Sequence, residues 1–295
     1  MNTTLKAALW MVGSIVAFSA MAVAGRELTG ALDTFEMMMY RSAIGLVIVS
    51  AVLTVTGRWS VVTRQRLPQH TLRNITHFTG QNLWFYAIGV APLAQVFALE
   101  FTTPLWVIVL SPLLLGETLT RLRMLCAALG FAGILIVARP GADTLDPGLL
   151  TALAAAVFFA LTAIQTKRLT RAESTGSIMF WLTLIQLFLG LAAAGYDGDI
   201  ALPDAAGLPF VLIIGIGGVV AHFCVTNALS IAPASVVMPF DFIRLPAITI
   251  VAALIYSEIP DVWVFVGAVV IFGANYLNIL GENRRIRVAA DASAG

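Results

Sequence analysis

Charge is what this chain has least of. Asp, Glu, Lys and Arg make up 11% of its 295 residues, against roughly 25% in a soluble domain. With 59% hydrophobic residues and a mean hydropathy of +0.93, an ordinary soluble fold is excluded. Cysteine is scarce too. Cys126 and Cys224 both sit in apolar runs, so they read as small buried hydrophobes and not as a disulfide or metal pair. No metal site and no cofactor are expected. The 17 Lys and Arg gather on no basic face, which excludes nucleic acid as a partner. Of the 3 His, only His70 falls outside the apolar segments. It has no acidic or Cys neighbour in sequence, so a lipid-acting enzyme is not expected.

What the chain does have is apolar runs of about 20 residues, the length that crosses a hydrocarbon core of ~30 Å. Breaks at charges, Pro and Gly divide it into ten predicted helices. They cover 5–25, 34–56, 71–90, 93–115, 120–139, 147–167, 175–195, 206–230, 234–257 and 261–281. The first is read as a retained span, longer than the apolar core of a signal peptide. The turns Gly89-Val90-Ala91-Pro92 and Ser230-Ile231-Ala232-Pro233 are tight, with Pro stopping one helix and starting the next. One side of the bundle collects Lys6, Arg58, Arg64, Arg66, Arg73, Arg121, Arg123, Lys167, Arg168, Arg171, Arg284, Arg285 and Arg287. The other has Arg26 and Arg139, while Arg41 and Arg244 lie within spans. The positive-inside rule then predicts both termini in the cytoplasm.

Pro92 and Pro233 are 141 positions apart (233 − 92), and the same offset aligns much of the chain. Phe18 matches Phe159, Gly57 matches Gly198, Leu67-Pro68 matches Leu208-Pro209, and Glu117 matches Glu258. Each half holds five spans. Five is odd, so the second half is inverted relative to the first, an organisation typical of secondary transporters that rock one repeat against the other. The expected fold is all-α and polytopic: ten transmembrane helices as two inverted five-helix repeats around a central cavity. The repeats are expected at 1–140 and 146–285, with a disordered cytoplasmic tail at 286–295.

Gly116-Glu117 closing the fourth span, Ser257-Glu258 in the same place of the second half, and Tyr40-Arg41-Ser42-Ala43 in the second span carry a resemblance. Over residues 5 to 282 the chain resembles the EamA-type members of the drug/metabolite transporter superfamily. Within it, the chain is similar to bacterial amino-acid exporters of the YddG type. The resemblance implies a small-molecule substrate, a lipid bilayer as surroundings, a bacterial inner membrane location, and a monomer or homodimer. Small multidrug pumps of the same superfamily use an acid in the first helix. The first and sixth spans here have none, which argues against that chemistry.

Charges inside a membrane normally face the bundle interior and pair. Glu100 lies seven residues into the fourth span and Arg41 about seven into the second. Both are roughly 10 Å below the outer surface, so an ion pair between them is geometrically allowed. Asp241, the offset mate of Glu100, has Arg244 at i+3 on the same face. Arg41, Glu100 and Asp241 are read as gates or as interhelical ties, and Arg244 as a substrate contact. In the third span His77, Gln81 and Trp84 form one helical stripe. Lipid would not hold such a stripe, so it is expected to line the cavity. His222 is the offset mate of Gln81. Phe97, Phe101 and Phe159 are expected as apolar walls.

The deep charges Arg41, Arg244, Glu100 and Asp241 sum to zero. The balance favours a neutral or zwitterionic solute with an apolar body. The expected function is a secondary transporter exporting such metabolites, amino acids including aromatic ones, by alternating access. The competing reading is transport of another small metabolite, such as S-adenosylmethionine or a purine-like compound.

Overall fold

The computed structural model describes residues 3–115, 120–138, 146–169, 172–196, 198–231 and 244–294. Their regular structure is helical: α1 Thr3–Glu27, α2 Thr34–Val55, α3 Leu67–Val90, α4 Leu93–Glu100, α5 Thr103–Leu115 and α6 Arg121–Ala138 in the first half. The second half supplies α7 Pro147–Leu169, α8 Thr175–Ala194, α9 Leu208–Ile231, α10 Arg244–Tyr256 and α11 Val262–Ala294. A short 3-10 turn, Trp59–Val61, follows α2. Helices α4 and α5 are two pieces of one span, so the architecture is ten transmembrane segments in two five-span repeats.

Local chemistry sets the boundaries. Asp33 caps α2 by accepting the Glu36 N–H at 2.7 Å, and Glu36 Oε2 accepts the Asp33 N–H at 2.8 Å. That reciprocal pair satisfies two donors the helix start leaves open. Ser174 does the same for α8 through the Ser177 N–H. Pro92 precedes α4, as the sequence predicts. Pro233 lies outside the described residues. Gly57 and Gly198, matched by the 141 offset, both adopt left-handed φ, at 64° and 80°, in the turns after α2 and α8. Only glycine takes that conformation freely.

The fourth span carries Pro104, and a Pro within a span breaks or kinks its helix. Here the span is interrupted at Phe101-Thr102. Pro104 brings no N–H to the turn and cannot continue the ladder. The carbonyls released there find side chains. Thr102 Oγ1 donates to the Leu99 carbonyl at 2.6 Å, Thr103 Oγ1 to the Glu100 carbonyl at 2.7 Å, and Asn275 Nδ2 of α11 to the Phe101 carbonyl at 2.9 Å. Irregular backbone at membrane depth is tolerated only with such partners.

Six helices are long and apolar enough to cross a membrane by length and composition, among them α1, α2, α7, α8 and α9. Helix α3 is not one of them, because it carries its polar residues inward: Asn74, His77, Gln81 and Asn82 are all buried. The helix pairing has the two-fold pattern that inversion requires. Helix α1 packs on α9 as its counterpart α7 packs on α3, and α5 packs on α7 as α10 packs on α1. The pairs α2–α8, α4–α10 and α6–α11 lie across the pseudo-axis. The tail expected to be disordered from 286 continues as helix to Ala294. Its Ala-rich sequence favours that state.

Close approach of α2 and α8 depends on Gly190. A Cβ there would lie 2.8 Å from Cα of Met39 and 3.0 Å from its N. Backbone cannot yield as a side-chain tip does. Gly190→Val should therefore cost about 1–3 kcal/mol through overpacking, read as a lower thermal midpoint of the purified protein in detergent.

Candidate substrate site

The break between α4 and α5 leaves Glu100 at the end of a short helix, free to turn toward the second repeat. Arg244, the first residue of α10, meets it: Nη2 donates to Glu100 Oε1 at 2.7 Å. The other carboxylate oxygen accepts the Trp84 indole N–H at 2.9 Å. The guanidinium lies over the rings of Phe18, Phe97 and Phe101, at 5.0, 5.1 and 5.4 Å from their centroids. Side-chain exposure is 4% for Arg244 and 14% for Glu100. Charge-assisted bonds of this kind, shielded by aromatic faces, are strong.

This pairing stands where equal depth along the spans also allowed an Arg41–Glu100 bridge. Equal depth along two spans is not enough for contact. Helix α2 packs on α8 and α9, whereas α4 packs on α10. Arg41 instead donates from Nη1 to Gln186 Oε1 of α8 at 3.2 Å. Asp241 lies outside the described residues.

The predicted stripe on α3 joins the same centre. Trp84 rests edge-on against Phe97. His77 faces His222 of α9 at 5.4 Å between ring centroids and Phe159 of α7 at 6.0 Å. Phe18 stands edge-on to His222 at 5.7 Å and also lies beneath Arg244. One ring thus links the ion pair to the histidines. Gln81, one turn from His77, is 4% exposed. Both ring nitrogens of His77 and Oε1 of Gln81 are buried without a hydrogen-bond partner. Unanswered buried polar atoms are costly, so these are open valences toward the centre.

Two buried residues escape the sequence reading. Arg73, expected in a cytoplasmic loop, lies on α3 at 4% exposure and donates to Thr166 Oγ1 and Asn74 Oδ1. Gln186 is fully buried. The signal for Gln186 was available: a lone amide in the apolar run Thr183-Leu184-Ile185-Gln186-Leu187-Phe188, of the same kind as Gln81. Buried charge therefore extends beyond the four deep residues, to Arg73, Glu36 and Glu173. Arg41 and Arg73 pair with no carboxylate among the described residues.

A second cross-repeat tie sits at the face holding the α3–α4 turn. Glu258, just after α10, lies 2.6 Å from Arg26 of α1 through Oε1. Its Oε2 accepts the Leu93 N–H, the first of α4, at 3.0 Å, where the helix N-terminus favours a carboxylate. Arg26 also covers the Tyr256 ring at 4.9 Å, and the Tyr256 hydroxyl donates to Glu27 Oε1 at 2.8 Å. Ser257, between Tyr256 and Glu258, has φ 56°. Left-handed backbone is uncommon for any residue but glycine.

The EamA-like transporter family matches residues 5–139 and again 146–280. The chain belongs to that family. An S-adenosylmethionine uptake transporter of Rickettsia bellii is 27% identical, over 93% of this chain and 94% of the relative. A riboflavin transporter of Brucella anthropi is 31% identical, over 90% and 95%. A solved crystal structure at 22% identity superposes with a TM-score of 0.66 over 94% of this chain and 98% of its own, a likeness of fold. As an EamA family member the protein is a multi-pass membrane transporter and not an enzyme.

Glu100→Gln keeps the shape and removes the charge 2.7 Å from Arg244. Breaking a buried pair from one side should cost on the order of 3 kcal/mol. Trp84→Phe, which removes only the indole donor, should cost about 1 kcal/mol. Thermal unfolding of the two variants and the double variant measures both. Because they share one carboxylate, their losses should not add.

Proposed function

We propose that this EamA family member is a secondary transporter. It moves a small neutral or zwitterionic metabolite with an aromatic or heteroaromatic body, by alternating access between its two repeats. The observation that carries the reading is the Trp84–Glu100–Arg244 cluster under Phe18, Phe97 and Phe101, built from both repeats. Aromatic faces suit a flat apolar body. The open nitrogens of His77 and the Gln81 oxygen suit its polar ends. Amino acids, aromatic ones among them, are the first reading, with export as the direction. The second reading is another small metabolite such as S-adenosylmethionine or a purine-like compound; relatives are named as S-adenosylmethionine and riboflavin transporters, and heteroaromatic rings of this kind would meet the same faces. The Lys and Arg distribution supports a bacterial inner membrane protein with both termini in the cytoplasm. On that orientation the Arg26–Glu258 tie belongs to the outer face.

Purified protein in liposomes should move at least one labelled aromatic or neutral amino acid saturably. Trp84→Ala and His77→Ala should each cut this flux about tenfold at normal insertion, the worth of one strong buried contact. A parallel run with a pH gradient reads proton coupling. Flux of S-adenosylmethionine or riboflavin, with none for amino acids, would move the assignment to the second reading. Flux of neither would sink the substrate class.

Glu258→Gln should favour opening toward the outside. In a background with Cys126 and Cys224 replaced, a cysteine introduced by Phe97→Cys should react with an impermeant thiol reagent about tenfold faster once Glu258 is changed. Equal labelling rates would make the tie a packing contact only.

A further inference from the structure

Arg41 is 5% exposed, and its only hydrogen bond goes to a neutral amide, Gln186 Oε1, at 3.2 Å. That bond fixes the amide: its oxygen faces the guanidinium, so Nε2 points away. Arg41 Nε and Gln186 Nε2 are both buried donors with no partner. A buried guanidinium with an open donor and only a neutral amide to answer it is complementary to an oxyanion. A guanidinium does not deprotonate to escape the cost of burial, and that cost is high in a membrane interior.

A narrow crevice lined by Arg41, Gly45, Thr183, Gly215 and Gly218 lies beside this buried group. The guanidinium lies close against Gly218, where a Cβ would come within 2.6 Å of Nε and 2.9 Å of Nη2. One turn further along the same face of α9 is His222, which faces His77. One turn back from His77 on α3 is Arg73. Arg41 therefore adjoins the central polar groups and faces no acid among the described residues.

At the 141 offset the mate of Arg41 is Leu182, and the mate of Gln186 is Gly45, so this pair is not repeated across the α2–α8 contact.

We propose that Arg41 and Gln186 form an anion seat that takes the carboxylate of the transported solute. The proposal rests on the transport reading above and deepens it. The solute carries a carboxylate, which docks between α2 and α8. Its aromatic body lies toward Phe18 and Trp84, where Arg244 is already answered by Glu100.

The test reads binding and not flux, so the two readings fail separately. Full-length protein in detergent is titrated with benzoate, benzamide, inorganic phosphate and chloride at constant ionic strength, following the thermal midpoint. Benzoate should raise it saturably, and benzamide and chloride should not. Arg41→Gln should weaken the benzoate response about 10- to 100-fold, the worth of a charge-assisted hydrogen bond. Arg41→Gln is open to misfolding, so a second variant guards the result. Gln186→Glu supplies its own carboxylate to Arg41 and should raise the midpoint without ligand while abolishing the benzoate response. A wild-type response to phosphate but not benzoate overturns the carboxylate assignment. So does a Gln186→Glu protein that still binds benzoate like wild type, or a wild type that answers all anions equally. Benzoate binding without flux of any solute would leave the seat standing and remove the transport reading.

Discussion

The ion pair between Glu100 and Arg244 joins the two halves of the chain where the fourth span lets go of its helix. A continuous helix would hold Glu100 in line with its neighbours and leave its carbonyls bonded. The break at Phe101-Thr102 turns the carboxylate toward α10 and hands the freed carbonyls to Thr102, Thr103 and Asn275. Much else at the centre is arranged around this pair. Trp84 orients the carboxylate. Three phenyl rings cover the guanidinium and exclude water, and one of them, Phe18, reaches on to His222.

The scaffold is two-fold and the centre is not. Helix pairs repeat under the inversion, and so do the left-handed glycines at 57 and 198. Of the side chains that face inward, Phe18 and Phe159 repeat, but the polar stripe of α3 does not. His77 has Gly218 as its offset mate, Trp84 has Val225, and only Gln81 and His222 are both polar. Shared backbone geometry is what lets two repeats move against each other. Unlike side chains at matched positions are what let a solute with two different ends lie one way round.

The fold was legible because its determinants are spaced along the chain. Pro92 and Pro233, the offset of 141, and the one-sided Lys and Arg all survive in one dimension. The stripe of His77, Gln81 and Trp84 was legible for the same reason, since helical periodicity sets a face. The partners of the charges were not. Depth along a span comes from counting residues, but which span stands beside which comes from packing. Arg41 and Glu100 share a depth and belong to helices that are not neighbours. Arg73 was hidden by its place near the start of the predicted span 71–90, where it was counted with the cytoplasmic-side charges, whereas the helix begins at Leu67 and carries it inward. Gln186 was hidden by being alone.

The tie at Glu258 has one more property. A single carboxylate holds Arg26 of α1 and the first N–H of α4, and the residue before it, Ser257, sits at φ 56°. Backbone held in that region costs about 1–3 kcal/mol and persists only where its surroundings enforce it. The closed arrangement is thus partly offset by its own strain, and the contacts that enforce it depend on one side chain. Such an assembly behaves as a sprung catch. It holds fully or releases fully, because losing either partner of Glu258 loosens the other, and the relaxing turn at Ser257 pushes the same way.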